Sequence, residues 1–490
     1  MSRWLFLPLD DRPITAQFPV LLASMGLVDL VAPPRRLLGR FLEAGDRDGL
    51  ARWMRQTALG CEGAIVSLEM LAFGGLIASR SPQVELDDAL ARLEILRELK
   101  AAGLAIYASS VVMRTGITGS SPEAVRHHQL IHLWSQWAVD PERQADARRL
   151  EAEIPPAVLR DYRAARDRNH QVNRAAVHLV AAEVIDFLLL LQEDCTPTGI
   201  HRQEQERLRT EIQRLGVTER VRLLPGTDEG AMLLLARAAG RRGPAPLFVP
   251  VYSRESTARL PAPYEDRPLM ETVALQVDAA GARLGDEGIP LFVNTPVRRY
   301  GDVGALTSGG DIDSVSDGSP ALVEAIAQAL ADGRFAAVAD VAFANGADPR
   351  FTPALLRRAD WPQLAGYAAW NTAGNTIGTA VSMAILAGAG DHRSERLRRQ
   401  AILVRFLDDY VYQTLVRPGI NARLRAEGVS PVNLGAAWSR VSAEVAEAMS
   451  GQLAEFARLP AFAACYQVHQ FSARLPWPRT FEVELEVGLR

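Results

Sequence analysis

Short apolar runs rich in Leu, Ile and Val recur along the first two-thirds of this chain, each followed by an amphipathic stretch. Examples are "WLFLPLD" (4–10), "GAIVSLEM" (63–70), "LAIYASSVV" (104–112), "DFLLLLQED" (186–194) and "VRLLPGTDE" (221–229). Later ones are "PLFVPVYSR" (246–254), "IPLFVNTP" (289–296), "FAAVADVAFANG" (335–346) and "LAGYAAWNTAGN" (364–375), and "LVDLVAPP" (27–34) is a weaker early one. Branched apolar runs of this length read as strands buried on both faces. The stretches between them carry helix signals: "DDALARLEILRELKAAG" opens on acids and closes on Lys100 and a glycine, as helix termini prefer. Strand–helix alternation of this kind makes an α/β protein with a mostly parallel sheet. Roughly eight to ten strands suit a (β/α)8-barrel-like fold, with a large doubly wound sheet as the alternative.

Two regions break the alternation. Residues from about 121 to 183 hold no strand signal and read as a helical insertion in an α/β domain spanning 1–390. Residues 391–490 read as a helical C-terminal region, helical to about Phe471 and ending in a short strand within "TFEVELEVGL". No fixed-period repeat is visible. The composition is ordinary for a globular protein, with 48% apolar and 23% charged residues and a net charge of −4. No Lys/Arg stripe suggests nucleic acid, and no apolar run is long enough to span a membrane. Three cysteines, Cys61, Cys195 and Cys465, are too few for a disulfide framework. The expectation is a cytoplasmic protein with a small-molecule substrate and no nucleic-acid or membrane partner, homo-oligomerisation being left open.

In parallel α/β folds the chemistry gathers where strands exit. Several exits here carry adjacent acids: Asp10–Asp11, Glu193–Asp194 and Asp228–Glu229. Paired carboxylates in a partly dry cleft can divide the acid and charged roles that glycoside hydrolysis needs. The plainer reading is helix capping, which suits Asp194 or Thr196 and suits Thr227 or Asp228, but does not account for the whole Gln-Glu-Asp group. Trp370, Asn371, Thr372 and Asn375 precede a small-residue helix. An indole and two amides suit a hydroxyl-rich ligand, although a cap and close packing would explain part of the motif.

Weaker signals are set aside. "FGGLIASR" after Glu69 is not a nucleotide fingerprint, and no Walker pattern occurs. "SGGDIDSVSDG" fails the EF-hand spacing. His128 and His132 lie one helical turn apart without a third ligand. Asp408 and Asp409 read as solvated or paired with Arg405. "YEDRPLMETVALQ" (264–276) repeats the Asp-Arg-Pro of "LPLDDRP" (7–13) before another helical pattern. Asp-Arg-Pro then reads as a helix-entry device, which accounts for Asp11 and Pro13 and leaves Asp10 as the candidate for the site.

"LPLDDRP", "FGGLIASR", "QEDCTPTG", "GTDEGAMLLLARA" and "WNTAGNTIGT" together resemble an uncharacterised bacterial family catalogued as domain of unknown function 4127. The resemblance runs over most of the chain and implies no activity. Placement of the acids and amides also parallels barrel glycosidases acting on N-acetylhexosamines, an analogy of fold alone. The resulting expectation is a carbohydrate-active hydrolase, a glycosidase on a small saccharide or amino-sugar conjugate. Its catalytic candidates are Glu193, Asp194, Asp10 and Asp228. Its binding candidates are Arg12, Glu69, Arg114, Glu229, Asn294, Trp370, Asn371 and Asn375. It needs no cofactor. The alternatives are a Mg²⁺- or Mn²⁺-dependent hydrolase or phosphoryl-transfer enzyme using Asp10, Asp11, Asp194 and Asp228, and a non-catalytic small-molecule binding protein.

Overall fold

The computed structural model of the chain describes residues 2–241, 243–306, 309–391 and 394–490, the side chain of Ala461 excepted. Arg242 in the expected helix "EGAMLLLARAAGRRG", Ser308 at the start of "SGGDIDSVSDG", and His392 and Arg393 in the C-terminal region lie outside the described residues. The chain forms two compact units. The first comprises Met1–Asp11, Val28–Leu234 and Tyr264–Asp266; the second comprises Arg12–Leu27, Leu235–Pro263 and Arg267–Arg490.

The first unit is built on β1 (Ser2–Leu7), β2 (Val28–Val31), β3 (Gly63–Ser67), β4 (Ala105–Val112), β5 (Phe187–Gln192) and β6 (Val221–Pro225). These form one sheet in the order β2-β1-β3-β4-β5-β6, with every pair parallel. All of β3 and all of β5 are buried, as strands covered on both faces must be. β1 stops at Leu7, short of the Asp10 expected from the apolar run. Pro8 has no N–H to continue the ladder, so Asp10 stands in the exit loop. The insertion is helical, with Pro122–Trp137, Gln144–Glu153 and the long Pro156–Ala181.

The second unit contains β7 (Leu247–Tyr252), β8 (Arg283–Leu284), β9 (Ile289–Asn294), β10 (Gly301–Asp302), β11 (Ala337–Asp340), β12 (Phe343–Ala344) and β13 (Gly366–Ala368). Five of them make a sheet in the order β13-β11-β9-β7-β8, again with parallel pairs. Read from β8, this is the same order as β2-β1-β3-β4-β5. Among the described residues the parallel strands thus fall into two open sheets of six and five strands, with β10 and β12 as a separate parallel pair. Both open sheets follow the 2-1-3-4-5 order of doubly wound folds, which is compatible with the doubly wound alternative; a closed eight-stranded barrel is not seen. Helices follow from Glu395 onward, and β14 (Val468–Arg474) pairs antiparallel with β15 (Glu484–Leu489). β14 reaches back past Phe471 into the stretch expected to be helical. It is mostly half-exposed or exposed and so carries no apolar alternation to announce it.

The helix Ala373–Ala389 packs directly on β13 through a missing side chain. A Cβ on Gly366 would lie 2.3 Å from the backbone oxygen of Ala380. Gly366→Ala should therefore destabilise the protein by about 1–3 kcal/mol, seen as a lower denaturant midpoint. Gly388→Ala is the control. Its Cβ would meet only Phe335, at 3.7 Å, and should leave the midpoint unchanged or slightly raised.

Candidate active site

The exits of β4, β5 and β6 stay bonded to one another where the strands end. The N–H of Glu193 donates to Val112 O at 3.1 Å, that of Thr115 to Asp194 O at 3.2 Å, and that of Gly226 to Gln192 O at 3.0 Å. This places the side chains of three consecutive exits along one edge. Glu193 is 4% exposed. It is ion-paired with the Arg80 guanidinium, and it accepts from the Arg114 N–H at 3.3 Å. Asp194 is ion-paired with Arg114, and its side chain is 28% exposed. Arg80 also donates to Thr118 at 2.9 Å. The two acids of the Gln-Glu-Asp group thus sit in different surroundings, one enclosed and one reachable. The Gln192 side chain is structural, donating to Glu193 O at 2.7 Å and accepting from Gln205 at 2.9 Å.

Glu69 lies in the first turn of the helix Leu68–Phe73, immediately after β3. It is buried and accepts from the Val111 N–H at 2.6 Å, from Ser67 at 3.1 Å and from Ser110 at 3.4 Å. Burial dominates those bonds and pushes its carboxyl up to about 7. Glu229 is fully buried and folds back over the β6 turn, accepting from the Thr227 N–H at 2.8 Å. Gly226 makes the room: φ is +117°, and a Cβ there would stand 1.8 Å from Glu229 Oε1. Asp228 is buried at the same exit. Asp10 is buried beside the Gly74–Gly75 turn, its Cβ 3.9 Å from where a Gly75 Cβ would be. That position flanks the gap between β1 and β3, where the strand order reverses and where open α/β sheets bind ligands. Asp11 accepts from Arg35 at 3.4 Å. The following turn is entered from Arg12, whose side chain makes no capping bond.

The other candidates belong to the second unit. Arg12 is buried, 5.5 Å from the Trp477 ring and 3.9 Å from Glu482. Asn294 donates to Asp340 at 2.8 Å and Asp348 at 3.2 Å and accepts from Ser319 at 2.6 Å. That closed network holds Asp340, whose carboxyl burial and the neighbouring Asp348 push up to about 8. Trp370 is 2% exposed. Phe481 and Arg405 lie against its ring, at 5.8 Å each. The indole therefore works in packing here and offers no open stacking face. Asn371 adopts φ +59°, a left-handed conformation asparagine tolerates, and its carbonyl accepts from the Asn345 N–H at 2.9 Å. Asn375 is buried in the first turn of the helix Ala373–Ala389.

Asp10, Asp11, Asp194 and Asp228 do not bring three carboxylate oxygens within 4.8 Å of one another among the described residues. The Mg²⁺ or Mn²⁺ set expected from them is therefore not assembled, and guanidiniums stand beside Glu193 and Asp194 instead. Asp408 and Asp409 are not solvated. Both are buried and paired with Arg405. No described helix is long and apolar enough to cross a membrane.

A family model described as "Protein of unknown function (DUF4127)" matches residues 4–486. The chain belongs to this family. No curated protein matches it. Among solved structures, a C2-type ketoreductase from a modular polyketide synthase is similar at 17% identity, over 79% of this chain and 90% of that one, with a TM-score of 0.16. A likeness of that degree carries no argument.

In this DUF4127 protein, sequence reasoning missed Arg80, Thr118 and the part played by the insertion. The long helix Pro156–Ala181 turns buried polar side chains onto the exit loops. Arg166 donates to Met113 O and Arg114 O, both at 2.9 Å, and forms a two-pronged pair with Glu204 at 2.6 and 2.7 Å. Arg168 donates to Ser79 O, Ser81 O and Val84 O, and Asn173 to Val111 O. His132 is half-buried and shares a 2.9 Å hydrogen bond with Thr115. His128 stacks on it at 6.1 Å, and burial lowers the His128 imidazole to about 4. The only sequence trace of this bracing was the run of polar residues "RDRNHQVNR" inside an otherwise amphipathic helix.

Glu69 gives the site a pH signature. Its carboxyl is raised from an ordinary 4.5 to about 7, so the folded chain keeps a proton that the unfolded chain has released between those values. The stability contributed by this carboxyl falls as pH rises through that window, by ~3 kcal/mol at most. Glu69→Gln removes the dependence. The melting temperature of the variant minus that of the native chain should climb from pH 4.5 to pH 7. A flat difference would show that Glu69 does not hold the proton.

Proposed function

We propose that the protein is a carbohydrate-type hydrolase, a glycosidase acting on a small saccharide or amino-sugar conjugate at the carboxyl edge of the first sheet. The observation that carries this reading is the Glu193–Asp194 pair, one carboxylate enclosed and one reachable, fixed by Arg80 and Arg114 at the β5 exit. Asp194 is the carboxylate that meets the substrate and takes the charged role, nucleophile or base. Glu193 orients Arg114 and, through it, Asp194.

Sheet geometry supports a choice of second carboxylate. Strands lie about 4.8 Å apart, and the two carboxyl groups of glycosidases stand about 5–9.5 Å apart. Asp228 leaves β6, one step from β5, whereas Asp10 leaves β1, three steps or ~14 Å away. Asp228 is therefore the partner of Asp194. Asp10, at the β1–β3 gap, is assigned to binding. The substrate's hydroxyls are recognised by groups of the same edge, with Arg114 foremost.

The test is release of the aryl group from a panel of aryl glycosides and aryl amino-sugar glycosides. Asp194→Asn and Asp228→Asn should each lower kcat by about a thousandfold or more, with the melting temperature of the folded variants little changed. Glu193→Gln should lower kcat and also weaken the fold, because it leaves Arg80 buried without its counter-charge. Native-like turnover by both asparagine variants would sink the assignment.

A further inference from the structure

One cluster of chemistry-bearing side chains in the first unit is used by none of the roles above. Cys195 directly follows Asp194; His201 opens the helix Ile200–Arg214; Asp266 lies in the Tyr264–Asp266 segment. All three are buried. One sulfur, one ring nitrogen and one carboxylate oxygen from them lie within 4.8 Å of one another. His201 Nε2 is 4.0 Å from Asp266 Oδ2. His201 is 0% exposed, and neither of its ring nitrogens has a partner of good hydrogen-bond geometry, the Thr196 backbone being a polar neighbour of the ring. A buried polar atom without a well-formed hydrogen bond is costly, and a metal ion at a ring nitrogen would account for this imidazole.

The surroundings prepare the other two groups. The Cys195 N–H donates to Tyr264 O at 3.1 Å, which ties the two chain segments together. The Asp266 carboxylate accepts from Gln205 at 2.6 Å and from Arg202 at 3.0 Å. Outer hydrogen bonds of that kind orient ligating carboxylates. Gln205 continues to Gln192, so the cluster sits directly behind the Glu193–Asp194 exit. Cys195 is 1% exposed, which denies a substrate access to the thiol and argues against a nucleophile.

We propose that Cys195, His201 and Asp266 form a zinc site. A thiolate, an imidazole and a carboxylate are a donor set that zinc accepts with three protein ligands and an open fourth position. Mg²⁺ and Ca²⁺, which take oxygen ligands, do not suit it. Tetrahedral ligation at about 2.0–2.3 Å would draw the three atoms to about 3.3–3.8 Å from one another, a movement that side-chain rotation supplies. The charges close: thiolate and carboxylate balance the dication, and Arg202 remains beside Asp266. The site joins residues far apart in sequence, and it does not depend on the glycosidase reading.

The test uses the full chain stripped of metal and dialysed against zinc chloride, with metal content measured on the protein. The native chain should retain about one zinc per chain and melt at a higher temperature when loaded. Cys195→Ser and His201→Ala should each lower zinc retention at least tenfold. Cobalt chloride provides a reading that needs no variant: the native chain should develop a thiolate-to-cobalt charge-transfer band in the near ultraviolet. Folded native chain that retains no zinc and shows no such band overturns the proposal. Equal zinc retention in both variants overturns it as well.

Discussion

A buried guanidinium gathers the loops of the first sheet. Arg166 collects the carbonyls of Met113 and Arg114 and is matched by Glu204. Loops carry backbone carbonyls that must find donors when they are covered. Here one long helix brings those donors, and Arg168 and Asn173 extend the arrangement to the β3 connection and to β4 itself. Arg114 is thereby presented to Glu193 and Asp194 with its own backbone already satisfied. Removing one member of such a buried charge pair strands the other, at a cost of about 3–5 kcal/mol. The helical insertion is thus part of the site's construction, and a surface ornament would bury far less charge.

The α/β class was legible because buried parallel strands write themselves as unbroken apolar runs, "FLLLL" before Gln192 being the clearest. Strand order was not legible. Nothing in a run of leucines says which neighbour it will pair with, so one barrel and two open sheets read alike. At the candidate site, the adjacent acids Glu193–Asp194 and Asp228–Glu229 do follow the ends of β5 and β6. Arg80 carried no signal, being one arginine among many in a chain that uses arginine heavily. Trp370 and Asn294 are packed and bonded within the interior for a physical reason. Large rings and amides suit ligands, and they equally suit a packed interior that satisfies its own polar atoms, as Asn294 does with Asp340, Asp348 and Ser319.

The paired "DRP" stretches gain a meaning that sequence alone withheld. One follows β1 and precedes β2; the other follows β7 and precedes β8. β1 and β7 hold the same place in two sheets of the same order, so the two stretches occupy equivalent connections. In both copies the proline stands at a helix entrance, Pro13 in the first turn and Pro268 at the cap position. The aspartates do other work: Asp11 meets Arg35, and Asp266 meets Arg202 and Gln205. The helix-entry reading therefore holds for the proline, and the cap positions themselves fall on Arg12 and Pro268.

Those same two connections decide how the chain can be divided. Arg12–Leu27 runs between two strands of the first sheet and is counted in the second unit; Tyr264–Asp266 runs between two strands of the second sheet and is counted in the first. A single scission after Leu234 would separate the sheets and leave each unit missing a piece of itself. No one-cut boundary yields two complete halves. An end-to-end exchange of cassettes would find no clean joint in this chain, although its topology is written twice.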